Sequence, residues 1–224
     1  MPSKTESSIK ELEQREKRID KLPLLLDFYL KLLRVQAATE QAITVPQPLL
    51  SEVVAGERLG KGEPLLRFRE LKLDNALLSN TFAEISRVFT GYPDLFEINP
   101  EIIREMDTGL LLDLKVLERW YSRNVVPRKG LPRGMNRHVM ANLILSTLKP
   151  YLVSYQATLI GMVHQDSWRR GYCPVCGGMP DLSYLESKNG ARWLVCSRCD
   201  AEWGFQRMEC PYCGNLDNKT LAYY

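Results

Sequence analysis

The hydrophobic positions in the first two thirds of the chain recur with the period of an α-helix. One stripe follows the capping residue Asp74 at intervals of three and four residues: Leu78, Phe82, Ile85 and Phe89. This spacing places the four side chains on one face of a helix. A second stripe begins after Asn99 and reaches Tyr121, and its 3.6-residue period predicts one helix that continues across Gly109.

Weaker patterns predict further helices on both sides of these two. Residues 9–22 form a short helical pattern, and Pro23 suits the first turn of a helix over residues 24–43. Residues 45–73 contain Pro, Gly and mixed charges, which favours a loop with a short helix near residues 49–55. Near the end of this part, Pro150 predicts a division between two helical stretches. The count is about six helices, enough for one shared core.

The first 18 residues alternate charges and lack the apolar core of a secretion signal. The most apolar early stretch, Leu22–Leu33, has 12 residues and includes Asp27 and Lys31, whereas a membrane-spanning helix needs about 20 apolar residues. We therefore expect a protein without a membrane span, located in the cytoplasm. In that reducing compartment, paired cysteines more often bind metal or perform redox chemistry than form structural disulfides.

Cysteine placement is the strongest chemical signal in the chain. All six cysteines belong to CxxC motifs near the C-terminal end: Cys173/Cys176, Cys196/Cys199 and Cys210/Cys213. The first two motifs are separated by 19 residues, a spacing typical of a four-cysteine metal site. A glycine follows the first and third motifs, and its freedom to adopt positive φ lets backbone N–H groups point at a sulfur. The sequence therefore predicts four thiolates around one ion.

The residues between the first two motifs predict a small β-structure. Residues 182–186 and 192–195 are strand candidates joined around Asn189-Gly190, a favoured hairpin turn. A segment this small buries little apolar surface, so a metal would supply much of its folding free energy. The predicted fold class is mainly α, with a helical domain at residues 1–170 and a β zinc-ribbon or rubredoxin-like domain at residues 171–224.

The residues alone leave the metal and its role open. Four thiolates suit structural Zn²⁺, and they also suit iron in a rubredoxin-like geometry. A thiol–disulfide catalyst is disfavoured, because it requires a strand–helix context with one cysteine at a helix N-terminus. The third pair, Cys210 and Cys213, has half the ligands of a second site. A second subunit could complete it, it could bind metal transiently, or it could be left over because the chain ends early.

Charge suggests an alternative of another class, a zinc-ribbon protein that binds nucleic acid. The net charge is only +3, but residues 119–165 contain no acidic residue, and their basic side chains from Arg119 to Lys149 form a basic tract. Residues 171–224 carry five basic and six acidic residues, so the ribbon itself would not attract phosphates. Nucleic acid is therefore the less favoured partner.

Several features together resemble the formate dehydrogenase accessory proteins, the FdhE family. They are the helical first part, the break at Lys149-Pro150, the junction Trp168–Tyr172 and the run from CPVCGGMP to CPYCGN. The resemblance implies a cytoplasmic maturation factor, not an enzyme, that binds the catalytic subunit of a molybdenum- or tungsten-dependent formate dehydrogenase. It also implies iron bound through CxxC motifs.

Carried over to this sequence, the ligands implied by the resemblance are Cys173, Cys176, Cys196 and Cys199, with Cys210 and Cys213 in a second site. Members of the family usually have a fourth CxxC, and these 224 residues contain three. The second site is therefore expected to be incomplete, and a homodimer that shares it is one alternative. We expect no catalytic residues.

Overall fold

A computed structural model of the chain describes residues 3–18, 22–47, 49–97, 99–123, 125–126, 131, 133–217 and 219. The described helices are, in order: α1 (Lys4–Glu16), α2 (Leu24–Ala42), α3 (Glu52–Gly60), α4 (Asn75–Thr90), α5 (Pro93–Phe96), α6 (Pro100–Arg104), α7 (Thr108–Leu111), α8 (Leu114–Arg123) and α9 (Arg137–Leu159). Single 3-10 turns lie at Phe68–Glu70 and Ile160–Met162. The strands are β1 (Pro180–Leu185), β2 (Arg192–Cys196) and β3 (Glu202–Phe205). The predicted fold class, mainly α with a small β-ribbon, is confirmed.

The chain forms two compact units that are discontinuous in sequence. The first unit contains Met1–Ile43 and Lys72–Pro150, and the second contains Thr44–Leu71 and Tyr151–Tyr224. The segment at residues 44–71 is therefore grouped with the cysteine region, although more than 100 residues separate them along the chain. The division into a helical domain at residues 1–170 and a metal-ribbon domain at residues 171–224 stays a prediction.

The core of the first unit is built where α2 packs against α4. Asp74 caps α4 as predicted, since its Oδ1 accepts the Leu77 N–H at 2.8 Å. Phe28 of α2 makes edge-on ring contacts with Phe89 and Tyr92, at centroid distances of 5.1 and 5.5 Å. The apolar stripe of α4 is buried in this contact, as the helical period predicts.

The predicted helix over residues 100–121 is wrong in one respect, because it is broken into α6, α7 and α8. Asp113 Oδ1 accepts the Lys115 N–H at 2.9 Å. A short polar side chain competes with a continuing helix in this way, and Gly109 weakens the helix further. The apolar residues keep a helical spacing across these breaks, so the periodicity alone did not reveal where one helix ends and the next begins.

Pro150 lies inside α9 and does not divide it, so the predicted break is wrong. A proline within a helix costs about 3 kcal/mol. Burial offsets this cost, because most side chains around the proline are almost inaccessible to solvent. Those at 0–1% exposure include Leu143, Ile144, Leu148, Tyr151, Leu152 and Tyr155. Tertiary packing thus overrides the local preference.

The sheet of the second unit is a three-stranded antiparallel meander in the order β1-β2-β3. β1 pairs with β2 through partners such as Tyr184 and Trp193, and the hairpin turn contains Gly190 at φ 68°. The predicted hairpin is confirmed, and β3 is an additional strand. One face of the sheet is buried through Leu194 and Trp203, both 0% exposed. The first CxxC precedes β1, the second connects β2 to β3, and the third follows β3.

Among the described residues, no helix has both the length and the apolar character needed to cross a membrane.

Candidate metal centre

The first CxxC forms a tight backbone turn that we call a knuckle, extending from the first cysteine to the residue five positions later. The Gly177 N–H donates to the Cys173 carbonyl at 3.0 Å, and the Cys173 N–H donates to the Gly178 carbonyl at 2.8 Å. Gly177 has φ 73°, a left-handed conformation that glycine adopts without steric cost. The turn directs the N–H groups of Val175 and Cys176 at Cys173 Sγ, at 3.4 and 3.5 Å.

The second CxxC repeats this backbone pattern between β2 and β3. The Asp200 N–H donates to the Cys196 carbonyl at 3.3 Å, and the Cys196 N–H donates to the Ala201 carbonyl at 2.9 Å. Asp200 takes the left-handed position with φ 56°, which aspartate tolerates better than most residues. The Arg198 N–H points at Cys196 Sγ at 3.4 Å. Both knuckles therefore place N–H dipoles where they offset the charge of a thiolate.

The sheet brings the two knuckles together at one buried point. Cys173 Sγ lies 3.6 Å from Cys199 Sγ, and Cys176 Sγ lies 3.4 Å from Cys196 Sγ. All four sulfur atoms lie within 4.8 Å of one another. A tetrahedron with metal–sulfur bonds of about 2.3 Å has sulfur–sulfur edges of about 3.8 Å. The cluster therefore has the size and donor set of a tetrahedral thiolate site, and its thiols are not joined in disulfides.

Burial makes these thiols costly to ionise without a cation. Burial is the main cause that raises the pKa of Cys173 and Cys199 well above the ordinary thiol value. Hydrogen bonds from Cys173 and the other two thiols instead lower the pKa of Cys196 well below it. Several thiolates buried together without a counter-ion are electrostatically unfavourable. A divalent cation would compensate the charge of thiolates at this site.

The third CxxC has the same knuckle backbone but no second pair beside it among the described residues. The Gly214 N–H donates to the Cys210 carbonyl and the Cys210 N–H donates to the Asn215 carbonyl, both at 2.9 Å. Gly214 has φ 69°. Cys210 is partly exposed and Cys213 is exposed. Backbone N–H groups of Cys213 and Tyr212 lower the pKa of Cys210.

Contacts with the ribbon hold the third knuckle in place. The Tyr212 hydroxyl donates to the Pro180 carbonyl, and Arg192 Nη1 donates to the Glu209 carbonyl at 2.7 Å. At Gly171 a Cβ would collide with the carbonyl group of Pro211, so only glycine fits there. The third knuckle is thus packed on the sheet, although Cys210 is partly exposed and Cys213 is exposed.

Comparison with known proteins agrees with this arrangement. The family model described as FdhE, central domain, matches residues 172–207, which hold both buried knuckles and the three strands. A protein FdhE homolog of Aquifex aeolicus is 24% identical over 98% of this chain and 77% of its own length. Protein FdhE of Shigella boydii serotype 18 is 26% identical over 84% of this chain and 59% of its own length. The chain belongs to the FdhE family.

The FdhE fold extends beyond the cysteine region. The crystal structure of the FdhE protein from Pseudomonas aeruginosa matches 94% of this chain and 69% of its own chain, with a TM-score of 0.52 and 21% identity. This likeness supports the helical part of the fold as well as the ribbon. The chain spans only part of these relatives' length, 59% of the Shigella protein and 77% of the Aquifex protein.

The sequence predicted which cysteines lie together but not what surrounds them. Leu65 and Leu66 donate their N–H groups to the Pro174 and Val175 carbonyls, at 2.9 and 2.8 Å. No motif in residues 45–73 indicated this contact. Residues 127–130 and 132 of the predicted basic tract lie outside the described residues, so the role of that tract in binding stays a prediction.

Proposed function

We propose that this member of the FdhE family is an accessory factor that supports assembly or activation of a formate dehydrogenase by binding its catalytic subunit in the cytoplasm. Family membership and the candidate metal centre support an accessory role of the FdhE type. The role is one of binding, with no catalytic residues assigned. The observation that carries the proposal is the buried four-sulfur cluster inside the segment that matches the FdhE central domain.

In this proposal the metal ligands are Cys173, Cys176, Cys196 and Cys199. The sulfur separations of 3.4 and 3.6 Å suit a tetrahedral thiolate site for either Zn²⁺ or iron. Such an ion would tie the two knuckles together and stabilise the ribbon, and iron would add a redox-active centre. Cys210 and Cys213 would be half of a second site, which another pair of thiolates would complete.

The partner test is co-purification of the chain with the formate dehydrogenase catalytic subunit from cells that make both. We expect the wild-type chain to retain the catalytic subunit. We also expect it to restore formate dehydrogenase activity in cells from which the gene for this chain has been deleted. The substitution pair Cys173→Ala with Cys176→Ala should weaken both effects, because it removes half of the ligands. Unchanged retention and unchanged activity would exclude a role for the metal centre.

A matched control is Cys210→Ala with Cys213→Ala, which removes the same number of thiols from the third knuckle. If only the buried cysteines are needed, this control should retain the catalytic subunit and restore activity as the wild type does. The metal is then identified by elemental analysis combined with native mass spectrometry of protein purified with and without air. The same spectrum reports metals per chain and the number of chains in the particle.

A further inference from the structure

A segment far from the cysteines in sequence contacts the backbone of the first knuckle. We call it the 62–71 segment, and it lies between α3 and α4. Its Leu65 and Leu66 N–H groups donate to the carbonyls of Pro174 and Val175, the two residues between the cysteines of the first CxxC. The leucine side chains are 0% and 2% exposed. The carbonyl groups of the knuckle are therefore held by an anchored backbone.

Two more contacts join the 62–71 segment to the same knuckle. Tyr172 immediately precedes Cys173, and its hydroxyl donates to the Gly62 carbonyl at 2.8 Å. On the other side, Pro64 packs against Gly177, where a Cβ would lie 2.9 Å from Pro64 Cγ. The knuckle is thus contacted before, between and after its two cysteines.

The 62–71 segment is itself held by a charged pair, Arg58 on α3 and Glu70. Arg58 Nη1 donates to Glu70 Oε2 at 2.8 Å, and Nη2 donates to Oε1 at 2.5 Å. Arg58 Nη1 also donates to the Leu65 carbonyl at 2.5 Å. Only 10% of the Arg58 side chain is exposed. A bidentate pair of this kind fixes orientation as well as distance.

The carboxylate is kept charged for this contact. Burial alone would raise the pKa of Glu70, but hydrogen bonds from Arg58 and from the Arg67 N–H outweigh it and hold the pKa below the usual range. The Arg67 N–H donates to Glu70 Oε2 at 2.8 Å. The Glu70 carboxylate thus links the 62–71 segment to Arg58 on α3 and to the Arg67 N–H within the segment.

We propose that Arg58 and Glu70 are positioning residues of the metal centre, which slow release of the metal by holding the 62–71 segment against the first knuckle. This inference rests on the proposed function, since it requires that the four cysteines bind a metal. Release of the ion requires the knuckle to open, and opening would break the bonds from Leu65 and Leu66. Outer groups that hold ligands in this way typically change metal affinity by about 10- to 100-fold.

The test compares zinc release from the full chain and from two variants. Zn²⁺ is loaded, its content per chain is measured, and transfer to an excess of a chromogenic chelator is followed in time. We expect Arg58→Met to release zinc about tenfold faster or more. The matched control is Arg67→Met in the same segment, where the Arg67–Glu63 pair at 2.6 Å has side chains 59% and 46% exposed. This control should stay within about twofold of the wild type, since exposed pairs contribute little.

A second variant and a second measurement separate positioning from folding. Glu70→Gln keeps the shape of the side chain and weakens the pair, so it should also accelerate zinc release. This variant tests the proposal even if Arg58→Met does not fold. Hydrogen exchange at the Leu65 and Leu66 amides should slow when zinc binds, because coupling between two sites is reciprocal. This protection should be smaller in Glu70→Gln.

The outcomes also separate this inference from the proposed function. If the wild-type chain takes up no zinc or iron, the four-cysteine site is refuted and the positioning role with it. If the wild type is loaded but Glu70→Gln and a folded Arg58→Met release zinc at the wild-type rate, only the positioning role is refuted. Zinc that leaves the exchange of the Leu65 and Leu66 amides unchanged would also refute it.

Discussion

The buried knuckles and the third knuckle have the same backbone and opposite surroundings. In the first and the third, the same two hydrogen bonds close the turn, and Gly177 and Gly214 have φ 73° and 69°. Yet Cys173 is fully buried beside a second knuckle, whereas Cys213 is exposed. A CxxC followed by a residue with positive φ therefore encodes a ligand-presenting turn. The pairing of two such turns on a sheet creates the four-sulfur site.

Removing one pair of thiols at a time should give the largest difference between the buried knuckles and the third knuckle. Cys173→Ala with Cys176→Ala should abolish metal binding at the buried site and lower the free energy of unfolding of the loaded chain by about 5 kcal/mol or more. Cys210→Ala with Cys213→Ala should keep that metal and change the unfolding free energy by less than about 1 kcal/mol. Metal content and urea unfolding measure both. Equal metal loss in the two variants would contradict the distinction.

Acid should release the metal from the buried site. Metal binding displaces protons from thiols, and burial raises the pKa of Cys173 and Cys199. Affinity therefore falls as pH falls, by about tenfold per pH unit for each proton displaced. Because the pKa of Cys196 is lowered, this thiol should contribute the smallest share of the protons released. Calorimetry in two buffers of different ionisation enthalpy counts them, and an affinity independent of pH would contradict thiolate ligation.

Alkylation should distinguish the two kinds of knuckle even without metal. Cys210 and Cys213 are accessible, and backbone N–H groups lower the pKa of Cys210, which increases its reactive thiolate fraction. Iodoacetamide should modify these two cysteines about 100-fold faster than the four buried ones. Mass spectrometry of the time course should show two rapid additions. Uniform modification of all six cysteines would mean that the buried cluster opens freely.

Glycine substitutions give a smaller but closely matched contrast. Gly177→Ala imposes a left-handed alanine and places Cβ 2.9 Å from Pro64 Cγ, so it should cost about 2–4 kcal/mol. Gly214→Ala imposes the same backbone cost with only Glu209 Oε1 nearby, at 4.0 Å, and should cost about 1–2 kcal/mol. Urea unfolding compares them. Equal costs would show that the 62–71 segment does not press on the first knuckle.

Local signals in the sequence were sufficient for most elements. Asp74 and the spacing of Leu78 and Phe82 predicted α4, and Asn189-Gly190 predicted the β1–β2 hairpin. Each rests on interactions within about ten residues, which neighbouring side chains specify. The same reasoning failed for the helix across Gly109, where the side chain of Asp113 caps a new helix, and at Pro150, where burial outweighed the local preference.

By itself, the sequence determined a mainly helical chain, a cysteine ribbon and three preformed turns, because backbone preferences and short hydrogen bonds depend on adjacent residues. Only the tertiary structure decided that the four predicted ligands are buried, whereas Cys210 is partly exposed and Cys213 is exposed. It also decided that Leu65 and Leu66 meet the first knuckle from more than 100 residues away. Such contacts depend on a core shared by distant segments, and no local pattern in either segment carries that information.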